Sequence, residues 1–218
     1  MKTRIVILAM LLLAQAARAE DMQMKLPAPR LESAVSIETA LHRRRSMRAY
    51  ADAPLLLVDL AQLLWAAQGV TAANGFRTAP SAGALYPLEV YVLAGNVRDL
   101  AAGIYKYHPQ GHTLSRVVEG DRRRELMQVA LEQSALHDAA AVMLIAAVYE
   151  RTTAKYGVRG LRYVHMEAGH AAQNVYLQAV ALDLGMVAIG AFDDAGVKRV
   201  VHLREQEQPL YLLPIGRE

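Results

Sequence analysis

Four arginines crowd one serine in His42-Arg43-Arg44-Arg45-Ser46-Met47-Arg48-Ala49-Tyr50. Guanidiniums at this density repel one another unless an anion sits among them. Their forks match phosphate oxygens two at a time, and the serine hydroxyl adds a donor. The same run also fits a solvated basic end of a helix, where cations complement the macrodipole. A second stretch, Thr78-Ala79-Pro80-Ser81-Ala82-Gly83-Ala84-Leu85-Tyr86-Pro87, is made of small residues punctuated by prolines. Small side chains leave main chain bare, so a flat ligand can lie on it with N–H groups free to meet polar ring atoms. An ordinary tight loop has the same composition. Neither G-x-G-x-x-G nor G-x-x-x-x-G-K-[ST] occurs, which removes the dinucleotide fingerprint and the phosphate loop.

Three further stretches carry weaker signals. Lys155 to Asn174 gathers Lys155, Arg159, Arg162, His165 and His170. The two histidines are five positions apart, off the helical i, i+4 spacing of a zinc pair, and Glu167 does not sit as in H-E-x-x-H, so no metal is expected. Packed, hydrogen-bonded histidines are the simpler reading. In Leu184 to Asp194, Gly185 and Gly190 bracket a short apolar strand, and Gly190-Ala191 again bares backbone. The end, Leu213-Pro214-Ile215-Gly216-Arg217-Glu218, offers a bare turn and one more cation. With no cysteine, disulfides, thiolate nucleophiles and cysteine metal sites are excluded.

The elements that must position these residues follow from periodicity. A chain of 218 residues that is 54% hydrophobic can bury one domain plus an appendage. Residues 1–19 have a cationic start, an apolar run and the small-x-small end Ala17-Arg18-Ala19, the pattern of a signal peptide cleaved after Ala19. That predicts a periplasmic or secreted protein, and the run is too short for a permanent membrane anchor. Three of the 24 Lys and Arg residues lie there, so the rest balances the 21 Asp and Glu, and a nucleic-acid partner is not expected. Residues 20–35 read as a linker or arm. A helix is predicted from Ser36, its N-cap, to Arg45. An amphipathic helix follows over Leu55–Gly69, with Asp59 and Gln62 on its wet side and Gly69 as the stop. A strand at 88–95 and a hairpin turning at Pro109-Gln110-Gly111 come next. One helix is predicted over 121–136, and a strand apolar throughout over 139–150, covered on both faces. A long helix runs from about Leu161 to Leu184, ended by Gly185. A short strand, a short helix and a last strand close the chain. No βαβ regularity appears, which favours an α+β sheet flanked by helices.

Taken in order, Arg-Arg-Ser-x-Arg, Pro-Ser-x-Gly-x-x-x-Pro, the late Gly-Ala pair and the terminal Gly-Arg resemble the flavin-dependent nitroreductase superfamily. Within it the chain is similar to the SagB/ThcOx-type dehydrogenases, from about Ile37 to Arg217. The resemblance implies a central, mainly antiparallel sheet flanked by helices over 36–218, in a homodimer holding FMN at its interface. It implies that Arg44, Arg45, Ser46 and Arg48 grip the FMN phosphate and ribityl chain, with Gly216 and Arg217 closing on the phosphate. Pro80, Ser81, Ala82, Gly83 and Tyr86 would lie near the ring, and Ile189, Gly190 and Ala191 would face it from the other side. Lys155 and Tyr156 match a pair implicated in proton removal in azoline-oxidising relatives. The implied activity is hydride transfer through flavin N5 to or from a small organic substrate. The alternatives are an NAD(P)H-dependent nitro or quinone reductase and a non-catalytic flavin-binding protein. Ala188 stands where many classical nitroreductases have proline.

Overall fold

The structure, a computed structural model, describes residues 23–217. The signal peptide expected over residues 1–19 lies outside the described residues. Seven strands form one antiparallel sheet: β1 (Met24–Lys25), β3 (Leu88–Ala94), β5 (Gly103–His108), β6 (Thr113–Glu119), β7 (Ala141–Val148), β8 (Leu184–Met186) and β9 (Glu207–Arg217), in the order β1-β6-β5-β3-β7-β9-β8. A two-residue ribbon, β2 (Leu55–Leu56) with β4 (Val97–Arg98), pairs in parallel beside it.

The apolar run at the centre explains the layering. Every residue of β7 is buried, and successive side chains point to opposite faces. Met143 and Ile145 enter one core with Val90, Val92, Leu213 and Ile215, while Val142 and Leu144 enter the other with Tyr91, Leu93 and Leu212. A sheet apolar on both faces needs helices on both. The first core is covered by α2 (Leu57–Gln68), through Leu60, Leu63 and Leu64, and by the long α6 (Arg159–Ala181), through Val164, Ala168, Ala171 and Val175. The second is covered by α3 (Arg123–Gln128), α4 (Ala135–Asp138) and α7 (Asp194–Val201), through Leu126, Leu136, Val197 and Val201. Each fully buried Leu, Ile or Val contributes roughly 1.5–3 kcal/mol. Two further helices are α1 (Ile37–Arg43), capped by Ser36 accepting the Thr39 N–H, and α5 (Glu150–Tyr156).

The structure corrects several expectations. Asp59 and Gln62 are not on a wet face but are 8% and 3% exposed. The arm covers them. Gln62 pairs with the Arg30 main chain, accepting its N–H at 2.8 Å and donating to its carbonyl at 3.0 Å. Asp59 lies 3.7 Å from Arg30. The single helix expected over 121–136 is two short ones, because Leu131 (φ 57°) and Glu132 (φ 53°) turn left-handed between them. The long helix stops at Ala181, where Leu182 and then Asp183 (φ 53°) break it, and Gly185 sits inside β8. Gly69 does end α2, where an added Cβ would fall 2.1 Å from the Trp65 ring.

Candidate functional site

The arginine-rich segment meets the end of the chain across the sheet edge. After α1, the Met47 N–H donates to Met186 O and the Ala51 N–H to Arg217 O, both at 2.9 Å. Tyr50 Oη donates to Pro214 O at 3.0 Å, across 164 positions of sequence. The Tyr50 ring lies on Gly216, where a Cβ would come within 2.9 Å of it. Gly216 is therefore a buried packing position within β9 rather than the bare turn expected. The result is a cavity of about 380 Å³ lined by Arg43, Arg45 and Arg217 together with Tyr176, Asp183 and Met186. Asp59 lies 3.5 Å from Arg217 and restrains it. Arg45 is held by the carbonyls of His42 and Arg44 at 2.9 and 2.8 Å.

Of the four residues expected to grip an anion, Arg45 lines this cavity and Arg43 joins it. Arg44 instead stacks over the Tyr176 ring at 5.1 Å, and Ser46 Oγ lies 3.1 Å from Tyr176 Oη. Arg48 is exposed. Tyr176, which sequence reasoning passed over, ties this corner together, since its hydroxyl also accepts the Ala188 N–H at 2.8 Å. Tyr176→Phe orphans that N–H. It is expected to lower stability by about 1 kcal/mol, read as a lower denaturant midpoint at unchanged m-value.

The small-residue loop is wound tightly. Ala82–Ala84 form one 3₁₀ turn, and Gly83 (φ 65°), Ala84 (φ 54°) and Tyr86 (φ 47°) are all left-handed. Glycine accepts this freely, whereas Ala84 and Tyr86 each carry strain of roughly 1–3 kcal/mol. Three contacts hold Tyr86 there: its N–H donates to Ser81 Oγ at 2.9 Å, Arg151 donates to its carbonyl at 3.0 Å, and Arg77 stacks over its ring at 4.4 Å. Pro80 is exposed, and Ser81 and Ala82 are half-buried. The end of α5 lies against this turn. A Cβ built on Gly83 would fall 2.8 Å from Tyr156 Oη and 3.1 Å from Lys155 Nζ. The structure thus brings together two stretches that stand far apart in sequence. Lys155 Nζ sits 5.4 Å from the centre of the Tyr156 ring, which packs edge-on to Tyr163 of α6 at 5.2 Å.

Ile189 is buried and exchanges 2.9 Å backbone bonds with Leu212. Gly190 and Ala191 then emerge to solvent, and among the described residues nothing lies closer than 3.9 Å to a Cβ placed on Gly190. His170 is exposed, and His165 bonds to Tyr149 Oη. Among the described residues no group of three His, Cys, Asp or Glu side chains is placed to hold a metal, and no helix is long and apolar enough to cross a membrane.

Helix α6 joins the two ends. Ser81 of the loop acts on Glu167, whereas Tyr176 and Ala179 line the arginine cavity. The twelve steps from Glu167 to Ala179 cover ~18 Å of helix axis. The arrangement is a cationic cavity at one end, a bare and strained loop at the other, and a helix between them.

The sequence profile of the nitroreductase family matches residues 41–217. The chain belongs to the nitroreductase family, and so to the oxidoreductases. It is 47% identical over 195 residues to a Methanocaldococcus jannaschii protein described as a nitroreductase, covering 89% of this chain and 97% of that one. It is 31% identical over 137 residues to the microcin B17-processing protein McbC of Escherichia coli, covering 60% of this chain but only 50% of McbC. The crystal structure of a protein from Ralstonia eutropha, also described as a nitroreductase, superposes with a TM-score of 0.78 at 28% identity, over 91% of this chain and 90% of that one. The nitroreductase-like α+β sheet flanked by helices is the expected fold.

Proposed function

We propose that the chain is an FMN-dependent oxidoreductase of the SagB type, working as a homodimer on a small organic substrate. The observation that carries this reading is the pairing of a three-arginine cavity with a glycine- and alanine-lined loop at the other end of one helix. An elongated ligand with a phosphate at one end and a flat ring at the other needs that layout. The donor set fits FMN. Arg43, Arg45 and Arg217 converge where a dianion would sit, with Arg44, Ser46 and Arg48 on the adjoining segment. Gly190 and Ala191 present exposed backbone, and Gly83 presents its backbone beside Lys155 and Tyr156.

When bound, the flavin supplies the two-electron chemistry of its ring, and the protein supplies position and electrostatics. The guanidiniums neutralise the phosphate, and the Pro80–Tyr86 turn is locked by Ser81, Arg77 and Arg151 before any ligand arrives, so little ordering entropy is left to lose. Lys155 Nζ and Tyr156 Oη both lie at Gly83, and that position supports assigning them the proton that accompanies oxidation of a substrate. The similarity to McbC supports the SagB-type assignment. Dimerisation is supported by apolar side chains turned outward on the helices beside the site, Ile37 (56% exposed) and Leu41 (54%) on α1 and Met166 (52%) on α6. Export by residues 1–19 belongs to the same reading, and it removes the cytoplasmic nicotinamide pool as electron source. NAD(P)H-driven nitro or quinone reduction is the second reading, favoured by the 47% identity to the archaeal relative described as a nitroreductase.

The test is to express residues 20–218, record the absorbance spectrum, and follow anaerobic bleaching by NADH, NADPH and dithionite in turn. The first reading expects a yellow protein that releases FMN on denaturation and is bleached by dithionite but not by either nicotinamide. Rapid bleaching by NADH or NADPH selects the second. A colourless protein that refuses added FMN defeats both.

A further inference from the structure

Tyr86 is the joint between the small-residue loop and the sheet. Its backbone is left-handed (φ 47°), and the carbonyl of the next residue, Pro87, already accepts the Val148 N–H at 2.9 Å in line with the β3–β7 pairing. A tyrosine keeps that conformation only where its surroundings impose it. Ser81 Oγ takes its N–H and Arg77 covers its ring. Its carbonyl is held by Arg151 Nη1 at 3.0 Å. Arg151 is exposed, on the first turn of α5. A long side chain at such a place loses rotamer freedom by staying on one carbonyl, so something else must aim it.

Its other prong does so. Arg151 Nη2 donates to Glu89 Oε1, so the planar fork spans a carbonyl and a carboxylate. Sheet register puts Glu89 in reach of buried partners. Lys106 stands opposite Tyr91, two residues from Glu89, and Glu207 stands opposite Val148, two residues from Ala146, which faces Glu89 itself. With a period of two, all of these side chains share one face of the sheet. Lys106 Nζ accordingly lies 2.9 Å from Glu89 Oε2 and 2.7 Å from Glu207 Oε1, and Glu207 also takes the Tyr91 hydroxyl at 2.7 Å. Both oxygens of Glu89 are thus engaged, one by the sheet and one by Arg151. We propose that Glu89 is a positioning residue which, through the Arg151 fork, carries the order of the sheet to the Tyr86 carbonyl and so fixes the shape of the Pro80–Tyr86 loop. That this loop carries a flat ring rests on the flavin reading above.

The experiment compares the parent with Glu89→Leu, Arg151→Ala and the double variant, under conditions where each is folded. Two quantities are read: amide hydrogen exchange over residues 81–86 in the flavin-free protein, and the FMN dissociation constant by flavin fluorescence. Either single substitution speeds exchange in that segment. Each also weakens FMN about three- to ten-fold, as when the binding-competent loop falls to between roughly a third and a tenth of the population. The double variant matches Arg151→Ala, because Glu89 acts through Arg151. Glu89→Gln is the milder companion, should Glu89→Leu not fold. It keeps the volume but offers one acceptor oxygen to two cations, and gives a smaller change of the same sign. A role in stability alone lowers the melting temperature and leaves both quantities at their parent values. That result, or a double variant whose loss is the product of the two singles, overturns the proposal. Faster loop exchange in a protein that binds no FMN upholds the lock and overturns the flavin reading alone.

Discussion

Arg217→Ala and Arg45→Ala each weaken FMN binding by about 1.5–3 kcal/mol, the loss of a hydrogen bond to a charged group, or roughly 10- to 150-fold in Kd. The two side chains come from opposite ends of the domain and line the same cavity of about 380 Å³. Their convergence is built into the fold, because the Ala51 N–H to Arg217 O bond and the Tyr50 ring on Gly216 fix the last strand against the segment after α1. Without ligand the three guanidiniums repel, and Asp59 offsets only part of that, at 3.5 Å from Arg217. A dianion relieves the repulsion, so affinity falls with salt and falls less steeply in either variant. The double variant loses less than the sum of the singles, since both contact one phosphate. Arg199→Ala is the control. Its side chain is 71% exposed on α7, and its removal leaves affinity within about 0.5 kcal/mol. Fluorescence titration reads all four, and equal affinity for parent and Arg217→Ala refutes the phosphate assignment.

Lys106→Met lowers stability by about 3 kcal/mol, at the lower end of what breaking a buried ion pair costs. Lys106 Nζ lies 2.7 Å from Glu207 Oε1 and 2.9 Å from Glu89 Oε2, with side-chain exposures of 12%, 1% and 14% for Lys106, Glu207 and Glu89. Without the ammonium, Glu207 keeps the Tyr91 hydroxyl at 2.7 Å and the Arg204 N–H at 2.9 Å but loses its cation. Burial alone would raise the Glu207 carboxyl. The bonds from Lys106, from the Arg204 N–H and from Tyr91 outweigh burial and hold it below the usual carboxylate range. A depressed folded value means that this stability is present above the unfolded value of 4.5 and is lost as pH falls through the folded one. In Lys106→Met the carboxyl protonates more readily, so the deficit shrinks as pH falls toward 4. Guanidinium denaturation at about pH 7 and pH 4 measures both quantities, and an equal deficit at the two pH values contradicts the account. The network reaches the loop as well. Arg151 bonds to Glu89 and also donates to Tyr86 O at 3.0 Å, so loosening Glu89 loosens the turn that the ring is proposed to rest on.

Much of this molecule is legible in local pattern. The eight residues of β7 announce a strand covered on both sides because period-2 alternation with no polar side fits no other environment. Ser36 caps α1 as its side chain predicts. The proline-bounded run of small residues is a loop, as its composition leads one to expect, but the left-handed Ala84 and Tyr86 within it were not legible and are held by contacts from Ser81, Arg77 and Arg151. The order of the short motifs was enough to name the family. These features depend on side-chain size, capping chemistry and allowed backbone angles within a few residues, all of which a linear sequence states outright.

Other features depend on which distant segments share a surface. Asp59 and Gln62 have the spacing of a wet helical face, yet the arm from residues 23–35 lies over them and gives each a partner. Gly216 reads as a turn until Tyr50 packs on it. Nothing in Arg-Arg-Arg-Ser-Met-Arg selects Arg43 and Arg45 for the cavity, because the selection is made by how the next five residues pair with β8 and β9. Glu167 is a further case: the sequence said only that it does not sit as in H-E-x-x-H, and its burial beside Ala168 and Ala171 follows from the packing of α6 on the sheet. Periodicity is set by bonds along the chain and a site by contacts across it, and the β7–β9 and β8–β9 pairings that close the sheet create this one.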